Sequence, residues 1–238
     1  MRKQKATGWG NMYRHFFKRL FDIIFSLVAL LILWFPMLVI AIVVRCTSKG
    51  PAIFVQERMG RNGKPFKFYK FRSMKIDAPH DLATREIHSE AYITKVGAVL
   101  RKTSLDELPQ LFCILKGDMS LIGPRPVVLA ETDLIEKRVE TGADKVRPGL
   151  TGLAQVKLRD RLTDMNLKAE IDGEYAKKVT FLGDLKIFFK TFFVVFSSDN
   201  FVEGTAVMEE ENAGTQTAVE ALEEVASADA GEKEQDVS

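Results

Sequence analysis

Two carboxylates stand side by side in Arg101-Lys-Thr-Ser-Leu-Asp-Glu-Leu-Pro-Gln110, as Asp106 and Glu107. Ser104 followed by Glu107 fits a capping box, with both acids in the first turn of a helix and facing its positive end. That is the structural reading. The chemical reading starts from repulsion: adjacent carboxylates raise one another's pKa unless a cation intervenes. Mg2+, a hard ion that seeks oxygen, would relieve the repulsion at Asp106 and Glu107 and could bridge them to a diphosphate. Two further stretches, Lys116–Pro126 and Val146–Val156, set Arg125 and Arg147 beside prolines and glycines. Proline stiffens such loops and glycine lets backbone N–H groups approach an anion, while arginine can grip phosphate with two parallel hydrogen bonds. Gly-Pro and Pro-Gly also simply mark turns. An acidic pair, two arginine loops and a cationic hairpin in one chain point to phosphate chemistry.

Composition narrows the alternatives. Two cysteines, Cys46 and Cys113, make no disulfide framework and no metal spacing, and three histidines contain no HExxH. A stapled secreted domain, a structural zinc site and a histidine-based triad are disfavoured. The net charge of +2 hides an asymmetry: residues 203–238 hold eleven Asp/Glu against one Lys, so residues 1–202 carry +12. Such a charge would attract nucleic acid or anionic lipid. No RNP, zinc-finger or helix-turn-helix pattern accompanies it, so no nucleic-acid partner is expected.

The elements that must position these groups begin with Ile23–Val44, 22 residues without a charge. As a helix the run measures about 33 Å, enough for a hydrocarbon core of about 30 Å. It is too long for a signal peptide and lacks a cleavage site. Residues 1–22 hold six Lys/Arg and residues 45–72 hold eight, so both flanks read as cytoplasmic. A straight crossing cannot satisfy that, whereas a re-entrant hairpin broken at Pro36 can. A bitopic anchor with a harmless proline is the alternative.

Segments 52–59 and 65–74 read as a β-hairpin around Arg61-Asn-Gly-Lys64, a type I′ turn signal, with Arg58, Arg61, Lys64, Lys67, Lys70, Arg72 and Lys75 as its cations. Residues 77–91 read as loop; helices are expected at 105–116, 128–141 and 163–179. Phe181–Phe196, with six phenylalanines and Lys186 four residues before Lys190, suits a helix lying at a membrane interface better than a core helix. The tail from Glu203 is expected to be disordered.

At these residues the sequence resembles the bacterial sugar transferase family, the monotopic phosphoglycosyl transferases. The matching pieces are Lys18–Asp22, Phe66–Met74, Leu100–Pro126 (LRKTSLDELPQLFCILKGDMSLIGPRP), Arg147–Val156 and Asp172–Thr191, in order across roughly residues 14–196. The resemblance implies a re-entrant membrane helix and a cytoplasmic-face active site at the bacterial inner membrane. It implies transfer of a sugar-1-phosphate from a UDP-sugar to polyprenyl (undecaprenyl) phosphate, the first membrane step of glycan assembly such as exopolysaccharide. Asp106 would be the nucleophile, carrying a covalent phosphosugar after UMP leaves. Glu107 would complete the dyad, with Mg2+ as cofactor at Asp106 and Glu107. Arg101, Arg125 and Arg147, with Lys70 and Arg72, would contact phosphate or nucleotide.

Three departures stand out. Phe35 precedes the membrane proline where relatives often have Ser, Cys113 stands where Asn is usual, and Lys157-Leu-Arg-Asp-Arg161 replaces an Asn-Gly-Arg pattern. The rivals are a membrane-anchored polybasic binding protein without catalysis, a degenerate assembly factor, and a phosphotransferase without a covalent intermediate.

The expected fold is therefore α+β and mostly helical: a monotopic membrane protein with an N-terminal re-entrant helix hairpin, a small β-hairpin and interfacial amphipathic helices. Its divisions are a basic segment 1–17, a membrane helix 18–45, a cytoplasmic catalytic domain 46–202 and an acidic tail 203–238. The short amino-terminal segment is expected to mark a minimal catalytic version without appended domains. The expected partners are UDP-sugar, polyprenyl phosphate and the lipid bilayer; the residues leave a homodimer open.

Overall fold

A computed structural model describes residues 12–78, 92–158 and 164–196. The acidic tail, most of the 77–91 loop and most of the 157–161 departure lie outside the described residues. A wide turn, Tyr13–Phe17, runs into helix α1, Lys18–Thr47, in which helical structure continues through Pro36. Its 30 residues exceed the expected 18–45 by two at the carboxyl end.

One narrow stripe of α1 meets the rest of the protein, at Asp22, Ser26, Ala29, Leu30, Met37, Ile40, Ala41 and Val44. Steps of three and four keep these on one helical face. The other face is apolar and exposed, from Leu20 through Leu31, Ile32, Trp34 and Phe35 to Val43. Such an expanse is far more than scattered surface leucines would give and marks an interaction surface.

Strands β1 (Ile53–Met59) and β2 (Pro65–Phe71) pair antiparallel, from Ile53 opposite Phe71 to Met59 opposite Pro65. The connection is the expected turn. Asn62 (φ 56°) and Gly63 (φ 70°) both have positive φ, and Lys64 N donates to Arg61 O. Phe66 and Phe68 of β2 are buried with Leu111, Cys113, Ile114 and Met119, and Phe71 is buried with Val44 and Leu100. β2 thus bonds both halves of α1 to the body.

Helix α2 (Lys95–Lys102) was not foreseen from the pattern; Thr94 caps it by accepting from Gly97 N. The expected helix 105–116 is divided into a tight 3-10 turn, Leu105–Glu107, and helix α3, Gln110–Lys116, with Pro109 between them. Gly117 (φ 98°) ends α3, and Arg19 donates to the carbonyls of Ile114 and Leu115 at 2.5 and 2.9 Å, satisfying groups a helix end leaves orphaned.

Strands β3 (Ser120–Ile122) and β4 (Gly149–Thr151) pair in parallel, and helix α4 (Thr132–Thr141) lies between them in sequence. Helices α5 (Leu153–Leu158), α6 (Met165–Lys177) and α7 (Phe181–Phe196) follow. Asp164 caps α6 by accepting from Asn166 N and Leu167 N. On α7, Asp184 and Ile187 are buried, whereas Phe181, Leu182, Phe189, Phe192 and Phe193 are exposed. α7 therefore has one buried face and one exposed, largely aromatic face. Asp184 ties it to the start of α1, accepting from Tyr13 Oη (2.7 Å), Lys18 Nζ (2.6 Å) and Tyr175 Oη (2.8 Å).

Candidate active site

The segment that carries the acidic pair is fixed from both sides. Gly97 of α2 lies against the backbone of Ser73, so close that a Cβ there would fall 1.9 Å from the Ser73 carbonyl oxygen. Only glycine permits this contact. It seats α2 on the chain leaving β2, and Arg101 Nε reaches Ser73 Oγ at 3.0 Å. Beyond α2, Ser104 takes a left-handed conformation (φ 55°, ψ 17°) and makes no capping hydrogen bond. The capping-box reading is therefore corrected: Asp106 and Glu107 sit in a separate 3-10 turn ahead of α3, not in the first turn of a long helix.

Asp106 is only 7% exposed. Burial first, and then the neighbouring Glu107, push its carboxyl up to about 6, while Lys70 and Arg101 pull the other way. Lys70, in β2, is pushed down to about 8 by burial and by Arg101, with Arg58 and Arg125 adding to the effect and Asp106 opposing it. Its ammonium lies 5.3 Å from the Phe54 ring centre. Glu107 lies 3.5 Å from Arg125. Thus β2, α2, the 3-10 turn and the loop after β3 bring Lys70, Arg101, Asp106, Glu107 and Arg125 together, five of the seven residues expected there.

The other two stand elsewhere. Arg72 is buried and donates to the carbonyls of Pro51 and Ser48 and to Ser48 Oγ, closing the chain after α1. Its place as a phosphate contact is corrected to a fastening of the membrane helix. Arg147 donates Nε to Gly117 O at 2.8 Å, and its charged neighbours are Arg19, Arg61, Asp22 and Asp118, not the acidic pair. The glycines of the two arginine loops also have a different purpose from the one expected. Gly123 N donates to Thr151 O and Gly149 N to Pro124 O, so these N–H groups are already spent. A Cβ at Gly123 would lie 2.3 Å from Arg147 O, and one at Gly149 2.1 Å from Gly123 N. The glycines let the two loops touch through their backbones.

Several positioning residues escaped the sequence. Arg58, counted only as a hairpin cation, is buried 5.0 Å from the Phe68 ring centre and donates to Pro126 O at 3.0 Å. Arg138 pairs with Asp172 at 2.5 Å in the interior and donates a further hydrogen bond to Arg125 O at 2.8 Å. Together they hold the successive carbonyls of Arg125 and Pro126. Lys168, one helical turn before Asp172 and 8% exposed, is pushed down to about 8 by burial and by Arg138. Asp172 fell within the recognised downstream motif; nothing local names its partner 34 residues away. Cys113, the departure from Asn, is buried in the core, with Sγ 3.4 Å from Lys67 O.

Among the described residues no three His, Cys, Asp or Glu side chains converge as a metal cage. The Asp106–Glu107 pair still fits Mg2+, which needs one or two carboxylates and takes its other oxygens from substrate phosphates and water. Burial first and the neighbouring Glu107 second hold the Asp106 carboxyl up, and a cation at the pair would offset both.

The site is thus an acidic pair with cations around it, in a chain that also carries one helix long and apolar enough to cross a membrane. The chain belongs to the bacterial sugar transferase family, whose profile matches residues 13–198. It is 43% identical over 183 residues to a UDP-glucose:undecaprenyl-phosphate glucose-1-phosphate transferase of Klebsiella pneumoniae, covering 74% of this chain and 39% of that relative. To an undecaprenyl-phosphate galactose phosphotransferase of Salmonella typhimurium it is 40% identical, over 77% of this chain and 41% of the relative. A shorter protein of Bacillus subtilis, described as a putative undecaprenyl-phosphate N-acetylgalactosaminyl 1-phosphate transferase, is 51% identical over 46% of this chain and 61% of its own length. The chain spans about two fifths of the length of the first two relatives.

Proposed function

We propose that this chain is a phosphoglycosyl transferase, moving a sugar-1-phosphate from a UDP-sugar to undecaprenyl phosphate and releasing UMP. The observation that carries the reading is Asp106: nearly buried, beside Glu107, and flanked by Lys70 and Arg101 within the family's motif. An Asp106 carboxylate oxygen attacks the phosphorus that bears the sugar. A P–O bond forms, the bond to the UMP oxygen breaks, and UMP leaves with the electron pair. An oxygen of the lipid phosphate then attacks the same phosphorus, the aspartyl O–P bond breaks, and Asp106 is regenerated as carboxylate.

Splitting the transfer in this way replaces one collision of two anionic substrates by two steps at a fixed nucleophile. Lys70, Arg101 and Arg125 hold the phosphates and offset the charge that keeps a carboxylate away from phosphorus. Glu107 and Asp106 would hold Mg2+, which when bound neutralises diphosphate charge and helps the leaving group depart. The donor is a UDP-hexose or UDP-N-acetylhexosamine, the range of sugars in the relatives' names. The product suits the start of a lipid-linked glycan, such as exopolysaccharide.

The membrane reading is monotopic, at the bacterial inner membrane with the site on its cytoplasmic face. The start of α1 is held through Lys18, Arg19 and Asp22, and its end through Val44 and Ser48, all by the same body. That arrangement supports entry and return on one side, as the basic flanks do, with Pro36 on the exposed middle of the helix. The exposed aromatic face of α7 lies at the interface. The test of the chemistry is exchange. Labelled UMP incubated with UDP-sugar and enzyme, without lipid acceptor, will enter the UDP-sugar pool; absence of exchange in an enzyme that completes transfer contradicts the covalent route.

A further inference from the structure

A second cationic recess lies at the foot of α1, apart from Asp106. Arg14, Lys18, Asp22, Arg61, Lys145 and Arg147 line it. Five cations face one carboxylate, and that carboxylate is engaged: Asp22 accepts from Leu121 N at 2.9 Å and Ser120 Oγ at 3.1 Å. Lys18 and Lys145 have their own acids, Asp184 at 2.6 Å and Asp144 at 2.7 Å. The three arginines have none. Arg14 donates to Ala176 O and Arg147 to Gly117 O, each leaving most of its fork of donors unused, and among the described residues neither they nor Arg61 form an ion pair. Arg61 belongs to the β1–β2 turn, so three separate parts of the chain bring these charges together. Like charges converge at a cost that a bound anion would remove.

The surroundings select the kind of anion. Lys18 opens the apolar helix, Arg14 lies in the wide turn that runs into it, and Val179, just ahead of α7, completes the wall. The Phe181 ring lies 5.8 Å from that of Tyr13 and 5.6 Å from that of Phe21. The exposed apolar faces of α1 and α7 therefore meet beside the recess. A phosphate held there would carry its hydrocarbon along that seam. The acceptor lipid phosphate, by contrast, must reach phosphorus at Asp106, whose charged neighbours are Glu107, Lys70 and Arg101; Arg147's are Arg19, Arg61, Asp22 and Asp118. The two clusters share no member.

We infer that the recess between the start of α1, the β1–β2 turn and Arg147 binds the phosphate headgroup of an anionic bilayer phospholipid, as a site separate from the one that performs transfer. This rests on the membrane reading above. Bound there, the headgroup fixes the depth and tilt of the α1 foot, and with it α3, whose last carbonyls Arg19 holds.

The test uses the full chain in phosphatidylcholine nanodiscs doped with phosphatidylglycerol, released into mild detergent, with retained lipid counted per chain by native mass spectrometry. Wild type will retain phosphatidylglycerol in preference to phosphatidylcholine. Arg61→Glu, at an exposed turn position, will weaken that retention roughly tenfold, as one reversed charge at a membrane surface should. Lys145→Glu, also exposed, will act in the same direction, and Asp106→Asn will retain the lipid like wild type. Equal retention by wild type and both charge reversals would overturn the proposal. So would displacement by inorganic phosphate, which would make it a soluble-anion site, or by undecaprenyl phosphate at one-to-one stoichiometry, which would give the recess to the acceptor. Wild type stripped from membranes by carbonate would instead overturn the membrane reading itself.

Discussion

Burying a carboxylate beside a second carboxylate holds its proton on, and setting cations around it lets the proton go. At Asp106 both act, leaving the carboxyl at about 6, while burial and then crowding by Arg101 leave Lys70 at about 8. Attack on phosphorus needs Asp106 ionised, so activity is lost as pH falls through the Asp106 value. A phosphate grip by Lys70 needs the ammonium, so activity is lost as pH rises through the Lys70 value. The kcat/KM profile, which reports the free enzyme, should be a bell with its basic limb near 8 and its acidic limb at about 6 or below, since Mg2+ at Asp106 would lower the carboxyl further. Glu107→Gln removes a charge that raises the Asp106 value, so its acidic limb should move to lower pH even where the rate is small. An acidic limb that stays in place, or moves up, would show that Asp106 is not the group titrating.

Elements set the site by touching where side chains would keep them apart. The arginine loops meet through Gly123, Gly149 and Gly152, and Arg125 leaves that junction with its carbonyl held by Arg138. Gly123→Ala places a methyl group 2.3 Å from a backbone oxygen, which cannot swing aside as a side chain would. It should cost about 3 kcal/mol, a fall of roughly 6–12 °C in thermal midpoint. Gly63→Ala, at a positive φ with open space around it, should cost only about 1 kcal/mol. Similar losses from the two would mean that the loop contact is not what Gly123 provides. For α1, the exposed Cys46 and an introduced Met12→Cys should react with a membrane-impermeant thiol reagent only after cells are permeabilised, with buried Cys113 silent. Pro36→Ala should open the Met12→Cys position to the outside by favouring a crossing helix. Wild-type flanks labelled from opposite sides would contradict the monotopic reading.

At the scale of the molecule, what was legible was what has a local signature. Asn62-Gly63 specified its turn and with it the β-hairpin, and the uncharged run specified α1. The acidic pair was legible as chemistry, but its setting was not. Ser104 and Glu107 have capping-box spacing, yet the chain must turn sharply after α2, and Ser104 takes the left-handed conformation that this turn needs. Arg72 and Arg147 sit in motifs as suggestive as those of Arg101 and Arg125. Which side of a strand or loop faces the pocket is decided by partners far along the chain, here Ser48 and Gly117. The Arg138–Asp172 pair and the glycine junction are illegible for the same reason.

The measurement that bears most directly on the account is UMP release from a panel of UDP-sugars, with the full chain, Mg2+ and undecaprenyl phosphate, and Asp106→Asn alongside. The account predicts UMP from at least one donor, lower by roughly 10³-fold or more in the variant, as removal of a nucleophile entails. UMP released by folded Asp106→Asn at the wild-type rate would contradict it.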